Sequence, residues 1–167
     1  MHDASLCLRP LAAEDVDAVC ALARTVWQAT YPALISQAQI DAMLADRYSP
    51  QRIRAQLGDS RQAWWVALQG AVPAGIAHVL LEGVRCKLDK LYVHPDHQRQ
   101  GIGAALLHAG ADWARAHQAR HLWLQVNRGN AQAIRAYEKY GYKIVQSRVF
   151  DIGDGFVMDD HVMEKRL

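Results

Sequence analysis

Apolar and polar residues alternate with a period of two in several short segments of the chain, and this pattern predicts strands. Four segments of this kind lie in the first 93 residues, over residues 5–10, 63–68, 74–81 and 86–93. Turn residues separate the last three at Gln69–Pro73 and around Gly83. Such alternation places every second side chain on one sheet face, so the last three strands are expected to form an antiparallel meander.

Helical spacing of apolar residues predicts three helices between the first two strands. The first runs from Ala13 and ends near Tyr31, because the residue before a proline is disfavoured in the α conformation. Ser36 and Gln39 form a capping box that opens the second. The third starts at Ser49–Pro50 and runs to residue 57, with proline at the first helical position.

The C-terminal half alternates helices with strands. A helix from Gly103 is expected to bury one stripe, formed by Leu106, Ala109, Trp113 and Ala116. The strand over residues 121–126 follows this helix, and a helical crossover makes it parallel to the strand over residues 86–93. A helix from Asn130 and strands over residues 143 to about 150 and 161–165 complete the chain. The prediction is a single α/β domain over residues 1–167, with a mixed, mostly antiparallel sheet and helices on both faces.

The stretch from Leu88 to Gly103 carries the strongest functional signal. A strand is broken by His94-Pro95-Asp96, and a loop with Gly101 and Gly103 leads into a helix. The free N–H groups of a helix N-terminus attract phosphate, and glycine lets a ligand approach the backbone closely. Leu106 stands where a dinucleotide fingerprint needs its third glycine, and no Gly-Lys-Ser/Thr follows, so both nucleotide-loop interpretations fail.

Two motifs resemble those of one enzyme family. Gln98-x-x-Gly101-x-Gly103, preceded by Leu-Tyr-Val-x-Pro, is similar to the pyrophosphate loop of the GNAT superfamily of acyl-CoA-dependent N-acetyltransferases. The second motif of that superfamily has an Asn that opens a helix, a Tyr two turns later and then Gly-Phe or Gly-Tyr. The run from Asn130 to Tyr142 matches it, and the resemblance is close over residues 88–145.

The resemblance implies acetyl-CoA as the acyl donor and a GNAT-like fold in which two parallel central strands splay apart. The pyrophosphate would bind the loop, and the pantetheine arm would add to the exposed strand edge like a further strand. Asn130 is also interpreted as the N-cap of its helix. The expected cofactor-binding residues are Leu91, Tyr92, Val93, Gln98, Arg99, Gln100, Gly101, Ile102, Gly103, Ala104 and Asn130.

The resemblance also gives catalytic candidates. Tyr137 matches the tyrosine that protonates the leaving thiolate in the family, although its spacing equally fits a helical core stripe. Many relatives carry a Glu base on the strand before the loop, where this chain has Lys87. Asp89 lies on the same strand face as Lys87 and is the first candidate base. An ion pair of Asp89 with Lys87 or Lys90 is the alternative.

Two other groups stay open as proton acceptors. Glu82 is the second candidate base, and a water relay to Asp89 or His78 is the third possibility. His78 lies within an apolar strand, a pattern more typical of a hydrogen-bonded core histidine. A base or a desolvating pocket is needed because an alkylamine with a pKa of about 10.4 is protonated at neutral pH.

The acceptor site is expected from the variable parts of the chain. Trp27 and Tyr31 belong to the N-terminal helices that wall the acceptor cleft in GNAT proteins, and both are predicted to contact substrate. The segment over residues 151–161 is acidic and is predicted to be a solvated hairpin between the last strands, and the alternative interpretation is a cation-attracting rim for a polyamine-like substrate. These regions loosely resemble polyamine acetyltransferases, whereas Lys87 would repel a polycation.

Composition narrows the function classes further. The net charge of +2, with both signs interspersed, argues against nucleic acid, and no apolar run approaches the roughly 18 residues of a membrane span. The three scattered cysteines suit the cytoplasm and lack metal-ligand spacing. We expect an amine-bearing acceptor, no metal, and a monomer or homodimer. A non-catalytic acyl-CoA-binding module is the alternative function.

Overall fold

Residues 5–167, the part of the chain that the computed structural model describes, form one seven-stranded sheet. Its strands are β1 (Leu6–Pro10), β2 (Gln62–Gln69), β3 (Val72–Glu82), β4 (Arg85–Val93), β5 (His121–Asn127), β6 (Lys143–Gly153) and β7 (Phe156–Arg166). The order across the sheet is β1-β2-β3-β4-β5-β7-β6. Only β4 and β5 pair in parallel, so the predicted mixed, mostly antiparallel sheet is confirmed.

Five α-helices cover both faces of this sheet. They are α1 (Val16–Thr30), α2 (Gln37–Arg47), α3 (Pro50–Leu57), α4 (Ile102–Ala116) and α5 (Ala131–Lys139). Helices α1 to α3 pack with Ile76 of β3 in one core cluster, whereas α4 packs with the adjacent Ala77 in another. Neighbouring strand residues point to opposite faces, so these clusters lie on opposite sides of the sheet. No helix in residues 5–167 is long and apolar enough to span a bilayer.

The buried stripe of α4 differs from the predicted one. Leu106 is buried as expected, but Ala109 and Trp113 are only partly buried and Ala116 is exposed. The buried positions are Ile102, Leu106, Leu107, Gly110, Ala111 and Ala114. A Cβ on Gly110 would lie 3.3 Å from Val79 Cγ1, so the helix approaches β3 through its small residues instead of its tryptophan.

The last two strands are longer than predicted. Strands β6 and β7 extend through residues 151–161, which the sequence had suggested to be a solvated connection. Only Asp154 and Gly155 form the turn, with φ angles of 53° and 77°. An Asp-Gly pair suits a two-residue hairpin whose central residues both need positive φ. As a result, Asp151, Asp159 and Asp160 lie on strands, and the neighbours Asp159 and Asp160 point to opposite faces of the sheet.

Candidate active site

The two parallel strands part halfway along their length. Pairing of β4 with β5 covers three positions, from Arg85 opposite His121 to Lys87 opposite Trp123. Beyond Lys87 the strands have no ladder pairs, although β4 continues to Val93 and β5 to Asn127. The splayed strand pair implied by the resemblance is therefore present, and backbone groups at the end of β4 face an opening instead of a strand.

A cleft of about 380 Å³ fills this opening. Ten of the eleven residues predicted to bind the cofactor line it, namely Leu91, Tyr92, Val93, Gln98, Arg99, Gly101, Ile102, Gly103, Ala104 and Asn130. Gln100 is the exception and does not line the cleft. Tyr137, Asp89 and Tyr31 also contribute to its wall, whereas Trp27 does not. The structure thus brings together most of the residues that the sequence singled out.

One end of the cleft is the N-terminus of α4. Gly101 caps the helix with a φ of 80°, and the first intrahelical bond runs from the Ala105 N–H to the Gly101 carbonyl at 3.0 Å. The N–H groups of residues 102–104 consequently have no acceptor within the helix. A Cβ on Gly103 would meet only Val93 Cγ2, at 3.8 Å, so the protein itself does not require glycine there. This end can bind an anionic group closely.

Two side-chain amides line the same opening. The Gln98 Nε2 donates to the Val93 carbonyl at 3.3 Å, a carbonyl at the end of β4. The Asn130 Oδ1 accepts from the Ala133 N–H at 3.3 Å, which makes Asn130 the N-cap of α5 as the sequence suggested. Asn130 therefore caps a helix and lines the cleft at the same time.

Tyr137 lies on α5, both in a core cluster and in the wall of the cleft. Its ring packs against Tyr142 at a centroid distance of 5.6 Å, within the core cluster between the sheet and α4. The same residue lines the cleft. Burial raises the pKa of the Tyr137 hydroxyl above its ordinary value, so the group is protonated at neutral pH. A protonated phenol can donate a proton to a leaving group in the cleft.

Asp89 occupies a bulge in β4 at the point where the strands part. His78 pairs with Lys90 and Val79 pairs with Leu88, so Asp89 is the extra residue. Its carboxylate contacts His78 Nδ1 at 3.0 Å, Lys90 Nζ at 2.6 Å and Lys87 Nζ at 3.4 Å. Burial would raise the pKa of Asp89, but the His78 hydrogen bond and the lysine charges outweigh it and hold the pKa well below its usual range.

The other two candidate proton acceptors are placed differently. His78 is 1% exposed, stacks on Trp64 and contacts Gln62 Oε1 at 2.7 Å, and its pKa is lowered chiefly by burial. This is the hydrogen-bonded core histidine that the sequence pattern favoured. Glu82 lies at the far end of β3, where it accepts from the Trp123 Nε1 at 3.2 Å, and it does not line the cleft.

A smaller chamber of about 50 Å³ adjoins the cleft, and we call it the side chamber. Four residues line both spaces, namely Tyr31, Asp89, Tyr92 and Gln125. The remaining wall of the side chamber consists of Trp27, Arg47, Lys87, Asn127, Ile152, Met158 and Asp160. Trp27 stacks on Tyr31 with ring centroids 4.3 Å apart. The two predicted acceptor-binding aromatics therefore meet at this chamber, while each also belongs to the hydrophobic core.

Asp160 was not singled out from the sequence. It is 2% exposed, and its Oδ1 has no hydrogen-bond partner among residues 5–167. Burial is the main cause that raises the pKa of Asp160 to about 6. The sequence does contain a signal for its burial, because Asp160 alternates with Met158 and Val162 and therefore shares their buried strand face. That signal was lost because the segment was taken for a solvated connection.

The fold and the cleft can now be compared with known proteins. Residues 22–142 match the family model of the acetyltransferase (GNAT) family. The chain belongs to this family. Membership confirms the predicted enzyme class and acetyl-CoA as the cosubstrate, and it disfavours the non-catalytic alternative. No group of three or more metal-ligating side chains occurs among the described residues.

Several GNAT relatives cover nearly the whole chain. An uncharacterised N-acetyltransferase of Mycobacterium tuberculosis is 31% identical over 158 residues, 92% of this chain and 98% of that protein. A spermidine N(1)-acetyltransferase of Thermoplasma acidophilum is 24% identical over 166 residues, 97% of this chain and 98% of the relative. The crystal structure of the PaiA N-acetyltransferase from T. acidophilum in complex with coenzyme A superposes with a TM-score of 0.85 at 23% identity, covering 98% and 99% of the two chains. That similarity confirms the GNAT fold.

Proposed function

We propose that this protein transfers the acetyl group of acetyl-CoA to a primary amine by direct attack of the amine on the thioester. The observation that supports this most is the cleft between β4 and β5, which has a helix N-terminus at one end and Tyr137 in its wall. Free N–H groups suit pyrophosphate, and an open strand edge suits the amides of pantetheine. A chain with these features in one cleft can hold the cosubstrate in a defined direction.

In this proposal Tyr137 protonates the leaving thiolate. A thiol has a pKa of about 8.5, so its thiolate leaves readily and needs only modest help, near the lower end of the roughly 10²–10⁴-fold range of general acid catalysis. The place of Tyr137 in the cleft wall supports this role, and its hydroxyl keeps its proton throughout the neutral range. Tyr140 also lines the cleft but does not fall at the motif position.

The acceptor amine would enter the side chamber, where Trp27 and Tyr31 contact it. The chamber is small, and three aromatic residues and six polar or charged residues are among the eleven that line it, which suits the amino end of a small acceptor. Arg47 and Lys87 bring two positive charges to the chamber, and Asp89 and Asp160 bring two carboxyl groups, of which Asp89 is paired with Lys87. Groups of both signs favour an acceptor that carries one amine beside a neutral or anionic group, such as an amino acid or a peptide N-terminus.

A polyamine is the second candidate acceptor. The relative named spermidine N(1)-acetyltransferase covers nearly the whole chain, which supports this class. The side chamber opposes it, because about 50 Å³ is too small for a polyamine chain, and Arg47 and Lys87 offset the attraction of Asp89 and Asp160 for a second ammonium group. We therefore rank amino acids and peptides first.

The decisive experiment is a screen that measures thiol released from acetyl-CoA in the presence of amines. The panel contains amino acids, short peptides, simple monoamines and spermidine, and mass spectrometry identifies the acetylated product. We expect turnover with monoamine acceptors that carry a neutral or anionic neighbour group. Acetyl-CoA binding by calorimetry without thiol release for any amine would instead favour the non-catalytic module.

The cysteines support the cytoplasm as the compartment. None of the three is paired, and Cys7 is exposed at the surface while Cys86 is buried. An exposed free thiol persists best in a reducing environment.

A further inference from the structure

We infer that Asp160 is the general base of the reaction, the group that takes a proton from the acceptor nitrogen as that nitrogen attacks the thioester. This inference rests on the proposed function and assigns a catalytic role within it to a residue on β7.

The position of Asp160 places a carboxyl group beside the cleft. Asp160 lies on β7 opposite Asn127 of β5, the strand that forms the far side of the opening. It lines the side chamber, and the chamber shares Tyr31, Tyr92 and Gln125 with the cleft. An amine held in the chamber therefore has the carboxyl on one wall and the cosubstrate space on another.

The carboxyl of Asp160 has capacity to bind a ligand. The side-chain amide of Gln125 lowers the pKa of this carboxyl, but the Oδ1 of Asp160 has no hydrogen-bond partner among the residues described. A buried carboxylate oxygen without a hydrogen bond is costly, and a catalytic role is one of the reasons for which native proteins retain such a group. An N–H group of a bound amine would satisfy this oxygen.

The pKa values of the two acids that face the side chamber, Asp89 and Asp160, are shifted in opposite directions. Asp89 is tied to two lysines and His78, which keep it ionised and weakly basic. Asp160 has no ion pair in the described structure, and burial raises its pKa to about 6. Arg47 and Lys87 face it and lower that value, whereas the neighbouring Asp159 raises it. Carboxyl groups whose environments push their pKa values apart commonly differ in role, and a base works best with a pKa near the working pH.

The reaction can be written with every proton accounted for. The nitrogen of the neutral amine forms a C–N bond with the thioester carbonyl carbon, and one of its protons passes to the Asp160 carboxylate. The C–S bond then breaks, and the electron pair leaves on sulfur, which takes the proton of the Tyr137 hydroxyl. The proton on Asp160 returns to Tyr137 through solvent, so the net products are an amide and the free thiol of coenzyme A.

This role produces a characteristic pH dependence. Both an ionised Asp160 and a neutral amine are required, so kcat/KM of an alkylamine should rise about 100-fold per pH unit well below pH 6 and about 10-fold per unit above it. Without the carboxylate only the amine titration is left, and the rise should be about 10-fold per unit throughout. The bend near pH 6 is a signature that a purely structural residue would not give.

The test compares Asp160→Asn with Asp159→Asn, a control next to it in sequence. Asp159 is exposed and pairs with Arg128 at 3.1 Å, on the other face of the strand. Using the best amine from the screen, we expect Asp160→Asn to lower kcat/KM at pH 7 by roughly 100-fold, to remove the bend near pH 6 and to leave acetyl-CoA affinity unchanged. Asp159→Asn should keep nearly the wild-type rate at pH 7 and retain the bend, moved to lower pH because Asp159 raises the pKa of Asp160, and Asp160→Glu should recover part of the rate.

A second measurement does not depend on turnover. Carbon NMR of labelled aspartate carboxyls, with the Asp160 signal assigned from the Asn variant, follows this group directly. We expect it to titrate near pH 6 and to shift when ethylamine is added at pH 7.

Two different failures can be told apart. If the wild type releases thiol with an amine but Asp160→Asn retains full rate and the bend, the inference alone is overturned. An Asp160 signal that titrates as an ordinary aspartate and ignores ethylamine also overturns it. If the wild type acetylates no amine at all, the proposed function fails instead.

Discussion

The Nζ of Lys90 lies 2.6 Å from the Oδ2 of Asp89, its immediate neighbour in the chain. In a regular strand two neighbouring side chains point to opposite faces and could not form this contact. The bulge at Asp89 turns both onto the same face, where Lys90 is 4% exposed and sits over Tyr48 and Trp64. A buried charge pair thus stands at the position where the sheet opens.

Replacing Asp89 by Asn should strongly destabilise the protein. The change leaves the buried ammonium of Lys90 without a counter-charge, and breaking one partner of a buried pair costs about 3–5 kcal/mol. Urea unfolding at pH 7 measures the loss in the free energy of unfolding. The double variant Asp89→Asn with Lys90→Met removes both charges and should recover much of the stability. No recovery would contradict the ion-pair explanation.

The rates of Asp89→Asn and of the double variant separate a positioning role from a basic one. If Asp89 only holds the network, the double variant Asp89→Asn with Lys90→Met removes the unpaired buried charge and should recover kcat/KM together with stability. If Asp89 acts as base, directly or through water, the double variant should stay as slow as Asp89→Asn. The depressed pKa of Asp89 makes it a weak base, so we expect kcat/KM to recover.

Tyr137→Phe should lower kcat by roughly 10- to 100-fold with little change in stability. The substitution keeps the ring and its packing on Tyr142 but removes the proton for the leaving thiolate. Tyr140→Phe is the matched control, since Tyr140 lines the same cleft and should be replaceable. Single-turnover measurements ensure that the chemical step is observed. Equal effects of the two variants would show that Tyr137 contributes only by packing and not as an acid.

Gly103→Val should abolish acetyl-CoA binding and leave the fold intact. The position faces open space apart from Val93, and its backbone is ordinary helix, so the protein tolerates a side chain there while a closely bound pyrophosphate does not. Calorimetry with coenzyme A measures the affinity, and circular dichroism checks the fold. Gly58→Val, at the end of α3 and away from the cleft, serves as control. Wild-type affinity in Gly103→Val would show that the loop does not bind the cosubstrate.

Asp160→Asn should stabilise the protein above pH 6. A carboxyl with a folded-state pKa of about 6 and an unfolded value near 3.9 stabilises the fold most below pH 4, and this contribution is lost as pH rises to about 6. The cost of the ionised group at pH 7 is up to about 3 kcal/mol, which the neutral amide avoids. Thermal unfolding at pH 4 and pH 8 should show a gain only at the higher pH. A gain equal at both values would contradict the raised pKa.

Local sequence signals predicted most of the fold. Ser36 and Ser49 accept the hydrogen bonds of Gln39 and Arg52 that their capping patterns indicated, because a cap depends on residues only three positions apart. The loop from Gln98 to Gly103 was found for the same reason, since both its glycines and the following helix are local features. Fold prediction was weaker at the hairpin of β6 and β7, where the Asp154-Gly155 turn was hidden within a longer glycine-bearing segment.

The chemistry of the site was harder to predict because it depends on tertiary contacts. Nothing in the sequence around Asp89 indicates a bulge, which appears only in the register of β3 against β4. Nor does the sequence show that Asp160 faces Arg47 and Gln125, which are more than thirty residues away along the chain. The residue types were visible, but their burial and partners decide which acid can exchange a proton near neutral pH.

Because β4 and β5 part, the thermal stability of this protein depends on how much cosubstrate is present around it. From Leu88 to Val93, the backbone groups of β4 that face β5 have no strand partner, so the sheet is incomplete by itself. A cosubstrate that occupies this gap binds the folded chain and not the unfolded one. At a concentration 100 times its dissociation constant it adds about 2.7 kcal/mol to the free energy of unfolding. The melting temperature should therefore report the acetyl-CoA concentration around the protein.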